Sequence, residues 1–108
     1  MRRLEPEFVH TDSRRSLSQL ITDEIKQVNV YEANYGAELG DHFHKDTIEY
    51  FYVVRGVMKY NDHFVVKKGD FFYPELGEKH KLKVVSDKAT FLTFLTQAYS
   101  KEKPDVYV

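Results

Sequence analysis

The chain has 108 residues, enough for one domain with a core of its own and no covalent staples. It contains no cysteine, which removes disulfides, thiolate chemistry and cysteine-type zinc sites. Its 16 basic and 17 acidic side chains leave a formal charge of −1, without the basic block that a phosphate backbone calls for, so nucleic acid is not an expected partner.

The opening MRRLEPEFVH follows its two arginines with Glu5, Pro6 and Glu7 instead of an apolar signal core. No stretch approaches about 18 uninterrupted apolar residues. A cytoplasmic location with no membrane partner is the expectation. Residues 1–12 are charged and irregular and read as an N-terminal arm, ordered only where a partner or a sheet edge holds it. Residues 13–108 read as a single domain.

Eight Tyr and eight Phe with no Trp favour strands. The first predicted strand covers Arg14 to Ile21. The second, Ile25 to Ala33, carries β-branched residues in partial alternation and stops at the turn formers Asn34 and Gly36. From Leu39 the strands follow quickly. In Ile48 to Val54, Glu49, Phe51 and Val53 face one way and Tyr50, Tyr52 and Val54 the other, so neither side is wholly polar and both need cover. The outward aromatics suit a subunit contact, and a homodimer is expected.

Gly56 turns the chain into Val57–Tyr60, Asn61-Asp62 makes a hairpin turn, and His63–Val66 returns. After the turn Lys67–Asp70, Phe71–Tyr73 form a short strand capped by Pro74. A loop then leads to His80, which alternates in phase with Leu82 and Val84, so its imidazole points into the core and needs a partner there. Ala89–Thr96 is the most continuous apolar strand and belongs in the middle of a sheet. The tail from Ala98 packs on the body or exchanges with a second subunit. No segment keeps helical spacing over three turns, and short strands joined by Gly and Asn/Asp turns suit an all-β jelly roll.

The chemistry concentrates in GAELGDHFHKDTIEYFYVVRG, Gly36 to Gly56. On a strand, residues i and i+2 share a face, so His42 and His44 emerge side by side. Glu49 has the wrong parity for that face, but a turn or bulge at Lys45, Asp46 and Thr47 brings it in from the next strand. A histidine pair is more often a surface feature than a chelate, and His10 and His63 read as solvated loop residues. The inward His80 is the second signal.

At these residues the sequence resembles the cupins. Gly36, His42, His44, Glu49 and Gly56 match the first cupin motif at every position. Gly69, Gly77 and His80 keep the spacing of the second, with Pro74 one place early and Val84 where an asparagine is common. The resemblance implies a double-stranded β-helix, the small RmlC-like jelly-roll barrel, with one divalent metal ion at its mouth on His42, His44, Glu49 and His80. Three imidazoles and a carboxylate suit Zn, Fe, Mn, Ni or Cu, and affinity order does not choose among them. An open catalytic ion and a closed structural zinc both remain available to four such ligands.

A narrower likeness bears on substrate. Asp12-x-Arg14-x-Ser16-Leu17, Gly40-Asp41-His42-Phe43-His44-Lys45 and the Ala98-Tyr99-Ser100 tail are similar to the small cupins of nucleotide-sugar metabolism, such as dTDP-sugar ketoisomerases and epimerases of polysaccharide assembly. Arg15 and Leu39 depart from the ketoisomerase pattern. Three functions stand side by side. One is a metal-dependent isomerase, epimerase or dioxygenase-type enzyme acting on a small polar molecule, with Tyr73, Glu75 and Tyr52 as candidate proton carriers. Another is a metal-independent ketoisomerase that uses the histidine pair. The third is a non-catalytic module that binds or senses a small ligand.

Overall fold

The computed structural model describes all 108 residues, and its regular elements are strands alone. In chain order they are β1 (Arg2–Arg3), β2 (Phe8–Thr11), β3 (Ser16–Gln19), β4 (Gln27–Asn34), β5 (Glu38–His42), β6 (Glu49–Arg55), β7 (Val57–Tyr60), β8 (Phe64–Lys67), β9 (Phe71–Tyr73), β10 (His80–Val84) and β11 (Lys88–Leu95). No helix is long and apolar enough to cross a membrane.

Two antiparallel sheets face each other, one ordered β1-β9-β6-β11-β4 and the other β5-β10-β7-β8, while β2 and β3 form a separate hairpin. Alternation in the sequence decides what lies between them. From the first sheet Phe51, Val53, Phe72, Ala89 and Phe91 point inward, and from the second Met58, Tyr60, Val66, Leu82 and Val84 meet them. Phe51 stacks on Phe72 with centroids 5.2 Å apart, and Tyr60 meets Phe72 edge-on at 5.7 Å. Each fully buried ring of this kind contributes roughly 1.5–3 kcal/mol through removal of apolar surface from water. This is the jelly roll the alternation predicts.

β6 and β11 occupy interior positions of the first sheet, as their unbroken apolar character requires. The predicted strand over Arg14–Ile21 shortens to β3, and the one over Ile25–Ala33 shifts to β4. Asn61 and Asp62 both take positive φ, and the loop to β8 has three residues, with His63 exposed in it. The first twelve residues are more regular than their composition suggests. Arg2 and Arg3 pair with Tyr73 and Phe72 at the edge of the first sheet, and Phe8–Thr11 pairs with Ser16–Gln19. Leu4, Glu5, Glu7 and residues 20 to 23 then border, with Tyr50, Phe71 and Tyr73, a cavity on the outer side of the first sheet.

Gly56 joins β6 to β7 in a left-handed conformation, φ +92, packed against the neighbouring strand. A Cβ at this position would stand 2.3 Å from the carbonyl oxygen of Lys88 and 2.7 Å from Ala89 Cα, both backbone atoms with nowhere to move. Gly69 has a similar φ of +89 and open space around it. Gly69→Ala should therefore cost about 1–2 kcal/mol, the left-handed penalty alone. Gly56→Ala should cost well over about 3 kcal/mol or prevent folding. Urea denaturation of both variants checks this, and equal losses would contradict the packing argument.

Candidate metal centre

One end of the sandwich holds its polar side chains. β5 pairs with β10 so that His42 lies opposite His80, and then the register shifts, because Lys81 pairs with Gly40 and leaves Asp41 unopposed. Both residues of this bulge have positive φ, +92 at Gly40 and +67 at Asp41. Gly40 is also the point of closest approach, since a Cβ there would sit 2.9 Å from the His80 carbonyl oxygen. A glycine therefore lets the two histidine strands meet.

His42 and His44 stand side by side across Phe43, which bridges to Tyr107. β5 ends at His42, and His44 lies beyond it, where the chain bends through Lys45 and Asp46 before Glu49 opens β6. The bend comes after His44 and brings Glu49 back toward the two imidazoles. Ring centroids stand 4.9 Å apart for His42 and His44, 4.7 Å for His42 and His80, and 5.2 Å for His44 and His80. One ligand atom from each of His42, His44, Glu49 and His80 lies within 4.8 Å of the others.

Hydrogen bonds orient two of the rings. His44 donates from Nδ1 to the Asp105 carbonyl at 2.6 Å, and His80 donates from Nδ1 to the Glu78 carbonyl at 3.3 Å. Their Nε2 atoms therefore face the centre. His44 Nε2 lies 3.1 Å from Glu49 Oε1, whereas His80 Nε2, 3.7 Å from that oxygen, is buried without a hydrogen-bond partner. A buried nitrogen lone pair with no donor is costly unless something electrophilic meets it, and a cation among three imidazoles and a carboxylate would do so. The donor set fits a divalent transition ion.

The charges respond to this crowding. Burial raises the cost of ionising Glu49, but the hydrogen bond from His44 and the nearness of His80 outweigh it and hold the carboxyl at about 2. Burial also opposes protonation of His44, yet its bonds to Glu49 and the Asp105 carbonyl raise its pKa above the ordinary value. His42 moves the other way, through burial first and then the nearby His80 and His44.

A cavity of about 450 Å³ opens from this cluster. Besides His42, His44 and Glu49 it is lined by Gln27, Asn29 and Tyr31 from β4, by Leu95, and by Tyr99 and Val106 from the tail. Tyr31 stacks on Phe91 with centroids 4.6 Å apart. Its phenol pKa is raised by burial and then by the charge of Glu49. The candidate proton carriers named from sequence lie elsewhere. Tyr52 points away from the cavity and meets Phe71 on the outer face, Tyr73 packs against Tyr50 there, and exposed Glu75 pairs with Arg2. The polar alternation of Gln27, Asn29 and Tyr31 on one face of β4 is the signal that would have marked Tyr31.

The Cupin domain family matches residues 29–96. The chain belongs to the cupin family. Solved structures share the fold of this cupin at low identity, which carries the likeness of fold alone. The capsular polysaccharide assembling protein CapF of Staphylococcus aureus matches with TM-score 0.65 and 22% identity over 93% of this chain and 33% of its own. The dTDP-6-deoxy-D-glucose-3,5-epimerase RmlC of Legionella pneumophila gives 0.71 and 19% over 92% and 68%. The rmlC epimerase of Mycobacterium tuberculosis gives 0.73 and 17% over 94% and 65%. The cupin thus spans about a third of CapF and about two thirds of the epimerases. No curated protein sequence matches it.

Because the Glu49 pKa is lowered by folding, its contribution to stability is complete above the unfolded-state value of about 4.3 and drains away as pH falls. The loss runs down to about 2, the folded value. Denaturant titrations of metal-free protein across that window should show stability declining with acid, and Glu49→Gln should flatten the decline. An unchanged slope in the variant would mean that other carboxylates carry the acid sensitivity.

Proposed function

We propose that this cupin holds one divalent transition ion on His42, His44, Glu49 and His80 and acts, in the adjoining cavity, on a small polar molecule of the sugar or nucleotide-sugar class. The observation that carries the reading is the unpartnered, buried His80 Nε2 facing a carboxylate and two further imidazoles. A bound ion would polarise a carbonyl or hydroxyl of the substrate, or acidify a water. The cavity size falls in the small-ligand range of about 300–1,000 Å³. Gln27 and Asn29 offer amide donors and acceptors for hydroxyl groups, and the raised Tyr31 phenol remains protonated at neutral pH, able to donate. The sugar class is supported by the fold shared with proteins whose names include dTDP-sugar epimerases.

A second reading keeps the same residues without an ion. The hydrogen-bonded His44–Glu49 pair, with its raised histidine, is suited to passing a proton to and from a keto-sugar carbon. Elemental analysis of purified protein, followed by incubation with a dTDP-linked 4-keto-6-deoxy sugar in D2O, separates the readings. The metal reading expects about one ion per chain, and deuterium uptake that falls with chelation. Uptake without any ion would establish the histidine-pair reading, and an ion without turnover on any sugar would leave a binding module.

We further propose a cytoplasmic homodimer. Val28 and Val30 are 55% and 65% exposed on the outer face of the first sheet, and Phe8, Val9 and Leu17 of the β2–β3 hairpin are also exposed. A two-stranded hairpin is marginal in water without cover, so a second copy over both surfaces would stabilise each. Val28→Glu should convert dimer to monomer in sedimentation at micromolar concentration; a wild-type monomer would refute the proposal.

A further inference from the structure

The tail beyond β11 has no strand of its own, yet it returns to the bend that carries His44. Phe43 and Tyr107 exchange two backbone hydrogen bonds, 2.9 and 3.0 Å, their rings stack at 5.5 Å, and the Lys45 ammonium lies 4.3 Å from the centre of the Tyr107 ring. Between these contacts sits Asp105. Its Oδ1 accepts from the Lys45 N–H at 2.9 Å, and its Oδ2 accepts from the Asp46 and Thr47 N–H groups at 2.9 and 2.8 Å. Its own carbonyl accepts from His44 Nδ1 at 2.6 Å.

These four bonds have one geometric result. The bend between His44 and Glu49 lies outside the sheet ladders, so the N–H groups of Lys45, Asp46 and Thr47 find their acceptors in the Asp105 side chain, and that of Ile48 in the Thr96 hydroxyl. With the bend held to Asp105 by three bonds, the Asp105 carbonyl cannot drift from the imidazole it accepts from. The ring is thereby fixed with Nδ1 as donor and Nε2 directed to the centre, which is the orientation a metal-ligating histidine takes from an outer partner.

We propose that Asp105 is a positioning residue of the site. Its carboxylate pins the 45–47 bend, its carbonyl holds the Nδ1 proton and so sets the direction of His44, and the C-terminal tail is thereby a working part of the centre. This rests on His44 being a ligand, the reading given above. Asp105→Ala keeps a backbone carbonyl at 105 but releases the bend, so the effect expected is loss of orientation and not loss of a ligand. Asp105→Asn keeps one acceptor oxygen and should recover part of the effect.

The test is 15N NMR of the His44 side chain in metal-free protein, read as solvent exchange of its Nδ1 proton, paired with zinc affinity measured against a competing chelator. In the wild type the Nδ1 proton, bonded to the Asp105 carbonyl, should exchange slowly. In Asp105→Ala it should exchange fast, with zinc binding weakened roughly 10–100-fold while the His80 Nδ1 proton stays unchanged. Asp105→Asn should lie between. Where the alanine variant fails to fold, Asp105→Asn alone decides by the same two measurements. Unchanged His44 Nδ1 exchange in a folded variant overturns the proposal. If wild-type protein binds no zinc, the metal reading fails, and the exchange measurement still decides whether Asp105 positions His44.

Discussion

The pairing of β5 with β10 at His42 and His80 is the constraint on which the site depends. It places two imidazoles opposite each other at the end of an apolar sandwich, and it does so only because Gly40 lets the backbones approach and the bulge at Asp41 shifts the register. Upstream of the bulge, Leu39 pairs with Leu82 and the strand returns to ordinary barrel packing. The polar cluster and the hydrophobic core are thus separated by a single irregular residue. A strand pair without the bulge would carry its alternation through this point unchanged.

Burying two imidazoles and a carboxylate beside the half-buried His42 has an energetic cost that the cluster meets in part by itself. Glu49 serves as the shared partner, close to both His44 and His80, and the backbone carbonyls of Asp105 and Glu78 take the outer ring nitrogens. One position is unmet, His80 Nε2. The rest of the molecule keeps its buried polar side chains paired, so the exception coincides with the place where the ligand atoms converge. Glu78 extends this order outward, because its carboxylate accepts the Tyr60 hydroxyl from the core and so ties the loop before His80 to β7.

The jelly roll is legible in the sequence through local signals, and the four converging side chains through the resemblance of their spacing to the cupin motifs. Glycines at fixed spacing make the turns, alternation sets the buried faces, and His80 is in phase with Leu82 and Val84. What local signals do not reach is pairing across long separations. Asp105 lies about sixty residues from the bend it pins, and nothing in YSKEKPDVYV announces that destination. Arg2 and Arg3 read as an arm because charged residues at a sheet edge leave no alternation to detect. His42 and His44 are read as neighbours from their i, i+2 spacing, and their rings stand side by side. Tyr52 and Tyr73 show how an alternation can be read with the right period while the outward side of a strand is still credited with chemistry. Tyr31, on an inward face and beside Glu49, is placed where they are not.

The central claim is that these four side chains form a single coordination sphere. X-ray absorption at the zinc edge on zinc-loaded protein tests it most directly. The account predicts a first shell of about three imidazole nitrogens and one carboxylate oxygen at about 2.0–2.2 Å, with the outer-shell scattering that imidazole rings produce. A shell of oxygen alone, without imidazole scattering, would contradict it.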